Sequence, residues 1–248
     1  MKRTLCFAKR NLKEIVRDPI SAGFGIVLPI TLLILLTIIN GNIPEDAKNN
    51  MFELRTLAPG IGIFGLGFIA LFAALLLSKD RSSSFMLRLY TSPMTGSNFI
   101  LGYALPLLPM GVVQLIVCFA AAIALGLPFS ANLFVCIAVC IPIMVVNIAI
   151  GLICGTLLNE KAVGGLCGAL LTNVTAWLSG CWFSLDLLGA GFRKFAYILP
   201  FANAGAAARA AVDGRFAEIP GRRWVVCAWA VGLMALAVVI FARRKKLK

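Results

Sequence analysis

The sequence contains no histidine and few charged residues. Histidine is the commonest general base at neutral pH and a frequent metal ligand, and it is absent from all 248 residues. The ten acidic residues are scattered rather than paired, and no Gly-x-x-x-x-Gly-Lys-Ser/Thr phosphate-binding loop occurs. We therefore expect a protein that is not an enzyme, with no catalytic residue, no metal site and no cofactor of its own.

Charge is scarce because apolar residues dominate the chain. Hydrophobic residues make up 60% of the sequence and charged residues 13%, whereas soluble domains have roughly 45–50% and about 25%. No charged residue occurs between Leu89 and Asn159, and this stretch is too long for one crossing of a bilayer, which takes roughly 20 residues. The composition therefore predicts an all-α integral membrane protein.

Charged segments and one Gly–Pro break divide the apolar sequence into six predicted transmembrane helices. The uncharged stretch is divided at Gly126-Leu127-Pro128, and charged residues separate the other spans. The predicted spans, all within one transmembrane domain of residues 1–248, are residues 21–39, 57–78, 99–125, 133–158, 162–183 and 224–242.

Three segments are predicted to lie outside these spans. Residues 1–18 place apolar and basic side chains on different sides of a helix, which is typical of an amphipathic helix on a membrane surface. Residues 79–98 form a polar, basic loop that we expect to contain a short coupling helix. Residues 184–223 contain an apolar run too short to cross, which Pro200 should bend or break. We predict that this last segment is a re-entrant hairpin in the outer leaflet.

Lys and Arg form two clusters, one at each end of the chain. A net charge of +13 could indicate nucleic-acid binding, but basic residues that flank spans anchor them on the cytoplasmic side. We predict cytoplasmic N- and C-termini, a location in the plasma (inner) membrane, contact with membrane lipid and no nucleic-acid partner. The predicted outer segment 184–223 is itself basic, which opposes this orientation.

Uncharged polar residues within the spans are the candidates for a translocation path. The five clear crossings contain no ionisable residue, which disfavours a proton-coupled carrier. Polar residues inside a membrane either line a path or hydrogen-bond between helices, and the sequence leaves both possibilities open. The candidates are Asn147, Thr172, Asn173, Thr175 and Ser179, of which the last four crowd one span.

The loop of residues 79–98 has the most informative pattern. Four of its residues share one face at helical spacing, namely Phe85, Met86, Leu89 and Tyr90. An amphipathic helix at this position could insert into a groove of a partner protein or rest on lipid headgroups. The pattern alone favours neither.

Several stretches, in order along the chain, resemble the permease subunit of a type-2 ABC exporter, the class that exports drugs, polysaccharides and lipids. The first resembles the surface helix that leads into the first span, the second resembles the coupling-helix signature, and the third resembles the stretch before the last span. They are residues 9–19, then Arg88-Leu89-Tyr90-Thr91-Ser92-Pro93-Met94 followed by Ile100-Leu101-Gly102-Tyr103, then Ser179-Gly180, Phe183 and Leu199-Pro200-Phe201.

The resemblance implies an ATP-driven exporter in which two permeases, identical or related, enclose a path. Two cytoplasmic ABC ATPase subunits would dock beneath them and hold ATP and magnesium. The weakly polar spans suit an amphipathic or lipid-like substrate, and helix packing explains them equally well. The residues implied to couple the permease to the ATPase are Arg81, Phe85, Met86, Arg88, Leu89, Tyr90, Ser92 and Pro93, together with Lys13 and Arg17 of the surface helix.

Two alternatives remain at this point. A secondary carrier or channel would need no ATPase, but it should contain an ion site or a repeat between its halves. A membrane assembly or sensory protein would have the same spans without a surface that docks an ATPase.

Overall fold

The computed structural model describes residues 2–44, 52–83, 85–86, 91, 94–182 and 185–246, and all regular elements in these ranges are helices. Short 3-10 helices form at Leu185–Leu188 and Phe216–Glu218. The other elements are α1 (Lys2–Val16), α2 (Pro19–Asn42), α3 (Leu54–Ser82), α4 (Gly96–Ala124), α5 (Asn132–Leu157), α6 (Glu160–Val163), a π-helix (Gly164–Leu171), α7 (Thr172–Leu178), α8 (Ala190–Ile198), α9 (Pro200–Val212) and α10 (Ile219–Lys246).

Five helical segments of the described chain are long and apolar enough to cross a membrane. They are Gly25–Asn42, Leu54–Ser82, Gly96–Ala124, Asn132–Leu157 and Phe216–Lys245. The prediction of an all-α membrane protein is therefore confirmed. The last helix begins at Ile219, earlier than the predicted residue 224, because Pro220 fits the first turn of a helix, where no N–H donor is needed.

Residues 160–178 form one unbroken helical run in which a π-helix lies between α6 and α7. Three glycines, Gly164, Gly165 and Gly168, fall within the π-helix. The run ends at Leu178, and the chain then turns at Gly180, whose φ of 69° favours glycine. The predicted span 162–183 thus starts and ends later than the helical run.

Helix α3 occupies the centre of the bundle. Its apolar window is 83% buried, compared with 17% for α2 and 22% for the α10 region. Gly151 of α5 lies so close to α3 that a Cβ atom there would be 2.2 Å from the Ala70 carbonyl oxygen. Small residues permit this close approach of helices in lipid, so the glycines of α5 set the position of the two helices.

The segment of residues 184–223 separates into an exposed helix and a buried one. Most residues of α8 are exposed, whereas α9 is buried along nearly its whole length against α3, α5 and α10. The two helices separate at Leu199, and Pro200 occupies the first turn of α9. A proline at this position stops α8 and starts α9 without losing a hydrogen bond.

Two arginines of this basic segment, Arg209 and Arg215, have partners within the chain. Arg209 is half-buried and donates to the carbonyls of Ser179 (3.0 Å) and Gly180 (3.4 Å), just beyond the end of α7. Arg215 pairs with Asp213 at 2.8 Å, and it also pairs with Glu218 at 2.7 Å. Arg209 and Arg215 are therefore engaged within the chain.

Candidate coupling site

Helix α1 packs one face against the start of α4. The Phe7 ring meets the Phe99 and Tyr103 rings edge to face, with centroids 5.7 and 5.0 Å apart. Thr4 Oγ1 donates to Asn98 Oδ1 at 3.2 Å. The remaining surface of α1 exposes the apolar Leu5, Leu12 and Val16 and the predicted coupling residue Lys13. The other predicted coupling residue, Arg17, lies just beyond the end of α1 and is also exposed.

Asn11 links α1 to α4 by binding a backbone carbonyl that has no hydrogen-bond partner within α4. Pro106 lies inside α4, and because proline has no N–H, the Gly102 carbonyl lacks its partner four residues later. Asn11 Nδ2 donates to this Gly102 oxygen at 3.0 Å. The Asn11 Oδ1 atom accepts from Arg10 at 2.9 Å. A buried amide thus satisfies a helix carbonyl that would otherwise lack a hydrogen bond.

A buried carboxylate joins three helices beside this contact. Asp80, near the end of α3, is 3% exposed. Arg10 of α1 binds it in a bidentate manner, with nitrogen–oxygen distances of 2.6 and 2.9 Å. The Tyr103 hydroxyl of α4 donates to the same carboxylate at 2.7 Å. Bidentate arginine–carboxylate pairs fix both distance and orientation, so α1, α3 and α4 are held rigidly at this point.

Arg10 extends the cluster to the predicted coupling segment. Its guanidinium lies 4.3 Å from the centroid of the Phe85 ring and 2.6 Å from Glu14. Burial lowers the pKa of Arg10, but the hydrogen bond and charge of Asp80, together with the charge of Glu14, outweigh that effect and leave the pKa above its ordinary value. Arg10 therefore remains a cation that contacts α3 and Phe85 together.

The structure describes Phe85 and Met86 of the predicted coupling helix. Met86 is 1% exposed and packs into the hydrophobic core, and Phe85 is half-buried beneath Arg10. These two side chains therefore anchor the segment to its own chain. The other predicted residues of the segment, Arg88, Leu89, Tyr90, Ser92 and Pro93, lie outside the described residues.

Arg81 binds the end of α5. The last carbonyls of a helix have no partners within it and carry its negative dipole end. Arg81 donates to the Gly155 carbonyl at 2.9 Å and to the Thr156 carbonyl, and Arg244 of α10 donates to Thr156 at 3.0 Å. The guanidinium of Arg81 is thus engaged within the chain, and its predicted contact with an ATPase stays a prediction.

The first helix, α1, and the end of the last helix, α10, meet at the start of α4. Lys245 Nζ donates to the Met94 carbonyl at 2.8 Å, close to the Thr4–Asn98 contact of α1. We call this end of the bundle, which contains Asp80 and Lys245, the basal end.

We call the cluster of Arg10, Asn11, Asp80 and Tyr103 the basal cluster. A cavity of about 300 Å³ opens beside it, between α1, α3, α4 and α6. Its apolar lining consists of Ile15, Phe72, Leu75, Leu76 and Met110. Its charged lining consists of Glu14, Arg17, Asp18, Lys79 and Glu160. The cavity is therefore amphipathic, with charges of both signs beside an apolar surface.

The five residues predicted to line a path do not form one polar surface. Asn147, Thr172 and Thr175 are buried, and each donates to a carbonyl four residues earlier in its own helical run. Ser179 is buried and donates to Ala176. Asn173 is the member of the set whose side chain is exposed. Their role in a path stays a prediction.

The sequence-based prediction missed the central residues of the cluster, which are Arg10, Asn11, Asp80 and Tyr103. Two local signals were present. Asp80 is an acid at the very end of an apolar span, where a charge needs a partner, and Pro106 leaves the Gly102 carbonyl free. Neither signal identifies the partner residue on α1.

The fold is that of a multi-pass, all-helical membrane protein. Its first helix α1, the end of α3, the start of α4 and the end of α10 meet at the basal end. The family model described as ABC-2 type transporter matches residues 3–212. The chain belongs to the ABC-2 type transporter family, which confirms the resemblance to a type-2 ABC permease. It is thus the membrane subunit of an ABC-type transporter, a component that is generally non-catalytic, and the family implies association with an ABC ATPase. No curated protein matches the chain.

Proposed function

We propose that this chain is the permease subunit of an ATP-driven exporter that moves an amphipathic or lipid-like substrate out of the cell. The observation that carries the proposal is Arg10, which contacts Asp80 of α3 and Phe85 of the coupling segment together. If an ATPase displaced Phe85, the Arg10 side chain would transmit the movement to α1 and to the central helix α3.

The cluster is suited to transmit motion because Asp80 is buried and Arg10 binds both of its carboxylate oxygens. We expect this bidentate pair to make α1 and the end of α3 move together. The free energy for the change comes from the ATPase, which must bind ATP more tightly in its closed state. Lys13 lies on the exposed surface of α1 and Arg17 just beyond its end, where a subunit beneath the basal end could contact them.

Six crossings with both termini in the cytoplasm fit these contacts. The helical run of residues 160–178 has nearly the roughly 20 residues that a crossing of the bilayer core takes. With this run counted as the fifth span, the number of crossings is even. The meeting of α1 and α10 at the start of α4 supports an even number.

The cavity of about 300 Å³ supports an amphipathic substrate. Apolar side chains of α3 and α4 would contact an apolar moiety, and charges such as Arg17 and Glu160 would contact a polar headgroup. The cavity lies beside the basal cluster, so a change in the cluster would alter its shape.

A second copy or a paralogue of the chain would complete the path. Asn173 is exposed in the middle of a predicted span and donates to Ala169 at 2.6 Å. An amide that faces lipid hydrocarbon is unfavourable, so a partner subunit or an aqueous path is expected to cover it.

The test is ATP hydrolysis and transport by the chain reconstituted into proteoliposomes with the ABC ATPase that copurifies with it. Phe85→Ala removes the ring beneath Arg10, and we expect transport to fall at least tenfold while ATP hydrolysis persists. Phe129→Ala, which changes an exposed ring outside the basal cluster, is the matched control and should leave both activities unchanged.

Arg88→Ala and Tyr90→Ala extend the test to the rest of the segment. Normal coupling in all three variants would overturn the proposal. Transport by the chain alone would instead indicate a secondary carrier or channel, and the lack of both an ATPase partner and transport would indicate an assembly or sensory protein.

A further inference from the structure

One buried amide inside the bundle has no hydrogen-bond partner. Gln114 of α4 is 4% exposed, and neither its side-chain oxygen nor its nitrogen is hydrogen-bonded to any of the residues that the structure describes. Most buried polar groups in folded proteins have a partner, and a group without one costs free energy. A movement of the surrounding helices that gave this amide a partner would therefore be favourable.

The amide lies where three helices meet. A Cβ atom at Gly65 of α3 would be 2.0 Å from the Gln114 Nε2 atom and 2.9 Å from the Pro29 Cγ atom of α2. Pro29 is itself buried. The amide of α4 and the proline ring of α2 thus face the same point of α3, where glycine leaves room for both.

Helix α2 has an acceptor without its usual donor beside the same proline. Pro29 lies inside α2 and has no N–H, so the Gly25 carbonyl lacks its usual partner four residues later. The ring of a proline within a helix lies against the carbonyl of the residue four positions before it. The unpaired Gln114 amide and the Gly25 carbonyl are therefore both neighbours of the Pro29 ring.

Helix α2 is also the least buried of the described crossings, and it contacts the cavity wall. Its apolar window is 17% buried, compared with 83% for α3, so a shift of α2 would break few contacts. A Cβ atom at Gly25 would be 2.8 Å from the Phe72 ring of α3, and Phe72 lines the cavity of about 300 Å³. A shift of α2 at Gly25 would change the space available to Phe72 and hence the cavity.

We propose that Gln114 donates to the Gly25 carbonyl in a second conformation, in which α2 has shifted against α3 and α4 and the cavity beside Phe72 has a different volume. This hydrogen bond would satisfy both groups at once and so stabilise the second conformation. The inference concerns the conformations of this chain and does not depend on the proposed transport function.

The second conformation is tested by double electron–electron resonance on the full chain in phospholipid nanodiscs. Nitroxides are attached to p-acetylphenylalanine at positions 38 of α2 and 134 of α5, where Ile38 and Phe134 are exposed. Labelled chains are diluted with unlabelled ones, so that distances within one chain are measured. We expect two distances, the less frequent of which accounts for about a tenth of the chains.

Two variants remove the hydrogen bond from opposite sides. Gln114→Met keeps the length of the side chain without the amide, and Pro29→Ala supplies an N–H that binds the Gly25 carbonyl within α2. Each should lower the second fraction at least fivefold, the effect of one hydrogen bond, and the double variant should lower it no further. Pro109→Ala makes the same change at an exposed proline of α4 and is the matched control, which should keep both distances.

Thermal unfolding in detergent gives a second measurement. Gln114→Met removes an unpaired amide and should leave the midpoint unchanged or higher. Asn203→Leu removes a buried amide that does donate to the Tyr197 and Leu199 carbonyls, and it should lower the midpoint. A single distance in the unsubstituted chain, or two distances that neither Gln114→Met nor Pro29→Ala changes, would overturn the inference. A lower midpoint for Gln114→Met would also overturn it, because the amide would then already be bonded.

Discussion

At the scale of single residues, the basal cluster consists of polar groups that are each other's hydrogen-bond or ion-pair partners. The Gly102 carbonyl is left without a partner by Pro106, and Asn11 supplies the missing donor at 3.0 Å. Asp80 lies buried at the end of an apolar helix and is held by Arg10 and Tyr103. Removing one partner exposes the other to an apolar environment without a hydrogen bond, which costs more than the bond itself contributes.

The link between Asn11 and Pro106 gives a double-mutant prediction. Asn11→Ala should lower the free energy of unfolding by about 1–3 kcal/mol, because the Gly102 carbonyl loses its donor. Pro106→Ala restores an N–H at position 106, so Asn11→Ala should then cost less than half as much. Equilibrium unfolding of the four proteins in mixed micelles measures this coupling.

Equal costs in the two backgrounds would show that Asn11 does not act through the carbonyl that proline frees. Lys9→Ala, which changes an exposed neighbour on α1, is the control and should shift the free energy of unfolding by less than about 0.5 kcal/mol.

At the scale of elements, close contact between α3 and α5 fixes the centre of the bundle. Gly151 and Gly155 face the backbone of α3 at Ala70 and Ala74. Because backbone atoms cannot rotate out of the way, a side chain at either glycine would push the two helices apart. The ends of α5 and α3 are also joined by Arg81, so the two helices move as a pair.

We expect Gly151→Ala to destabilise the protein by about 1–3 kcal/mol, which is the usual cost of overpacking. The added Cβ would lie 2.2 Å from the Ala70 oxygen. Gly232→Ala is the matched control, because nothing lies within 4 Å of a Cβ there and alanine favours a helix over glycine. Thermal unfolding in detergent should show a lower midpoint for the first variant and an unchanged or higher one for the second. Equal midpoints would contradict the close-packing argument.

At the scale of the whole molecule, the two ends of the chain meet at the basal end. Arg209 and Arg215, between α7 and α10, are engaged by backbone carbonyls or acids, whereas α1 and the end of α10 present exposed cations at the basal end. The positive-inside tendency favours a basal end that faces the cytoplasm.

Labelling with a membrane-impermeant maleimide tests this orientation together with the fifth crossing. Cys6 is exposed at the basal end, and Leu187 is 75% exposed beyond α7. We expect Cys6 to react only after cells are permeabilised and the cysteine of Leu187→Cys to react in intact cells. Reaction of both from the same side would remove one crossing between them and contradict the six-span arrangement.

The sequence by itself determined the membrane class, the approximate positions of the long helices and the family. These features are local, because crossing a bilayer requires only a sufficient run of apolar residues. It also determined the break at Pro200, since proline limits a helix wherever it occurs. The role of residues 79–98 in coupling stays a prediction; of its described side chains, Phe85 lies beneath Arg10 and Met86 packs into the core.

Only the tertiary structure decided which polar groups meet. Arg10 and Asp80 are 70 residues apart, and Arg81 caps a helix that ends 74 residues or more beyond it. No local pattern specifies such pairs, because each depends on how α1, α3 and α5 pack against one another. Burial likewise separated α8 from α9, since the number of neighbouring helices, and not composition alone, determines which short helix is covered.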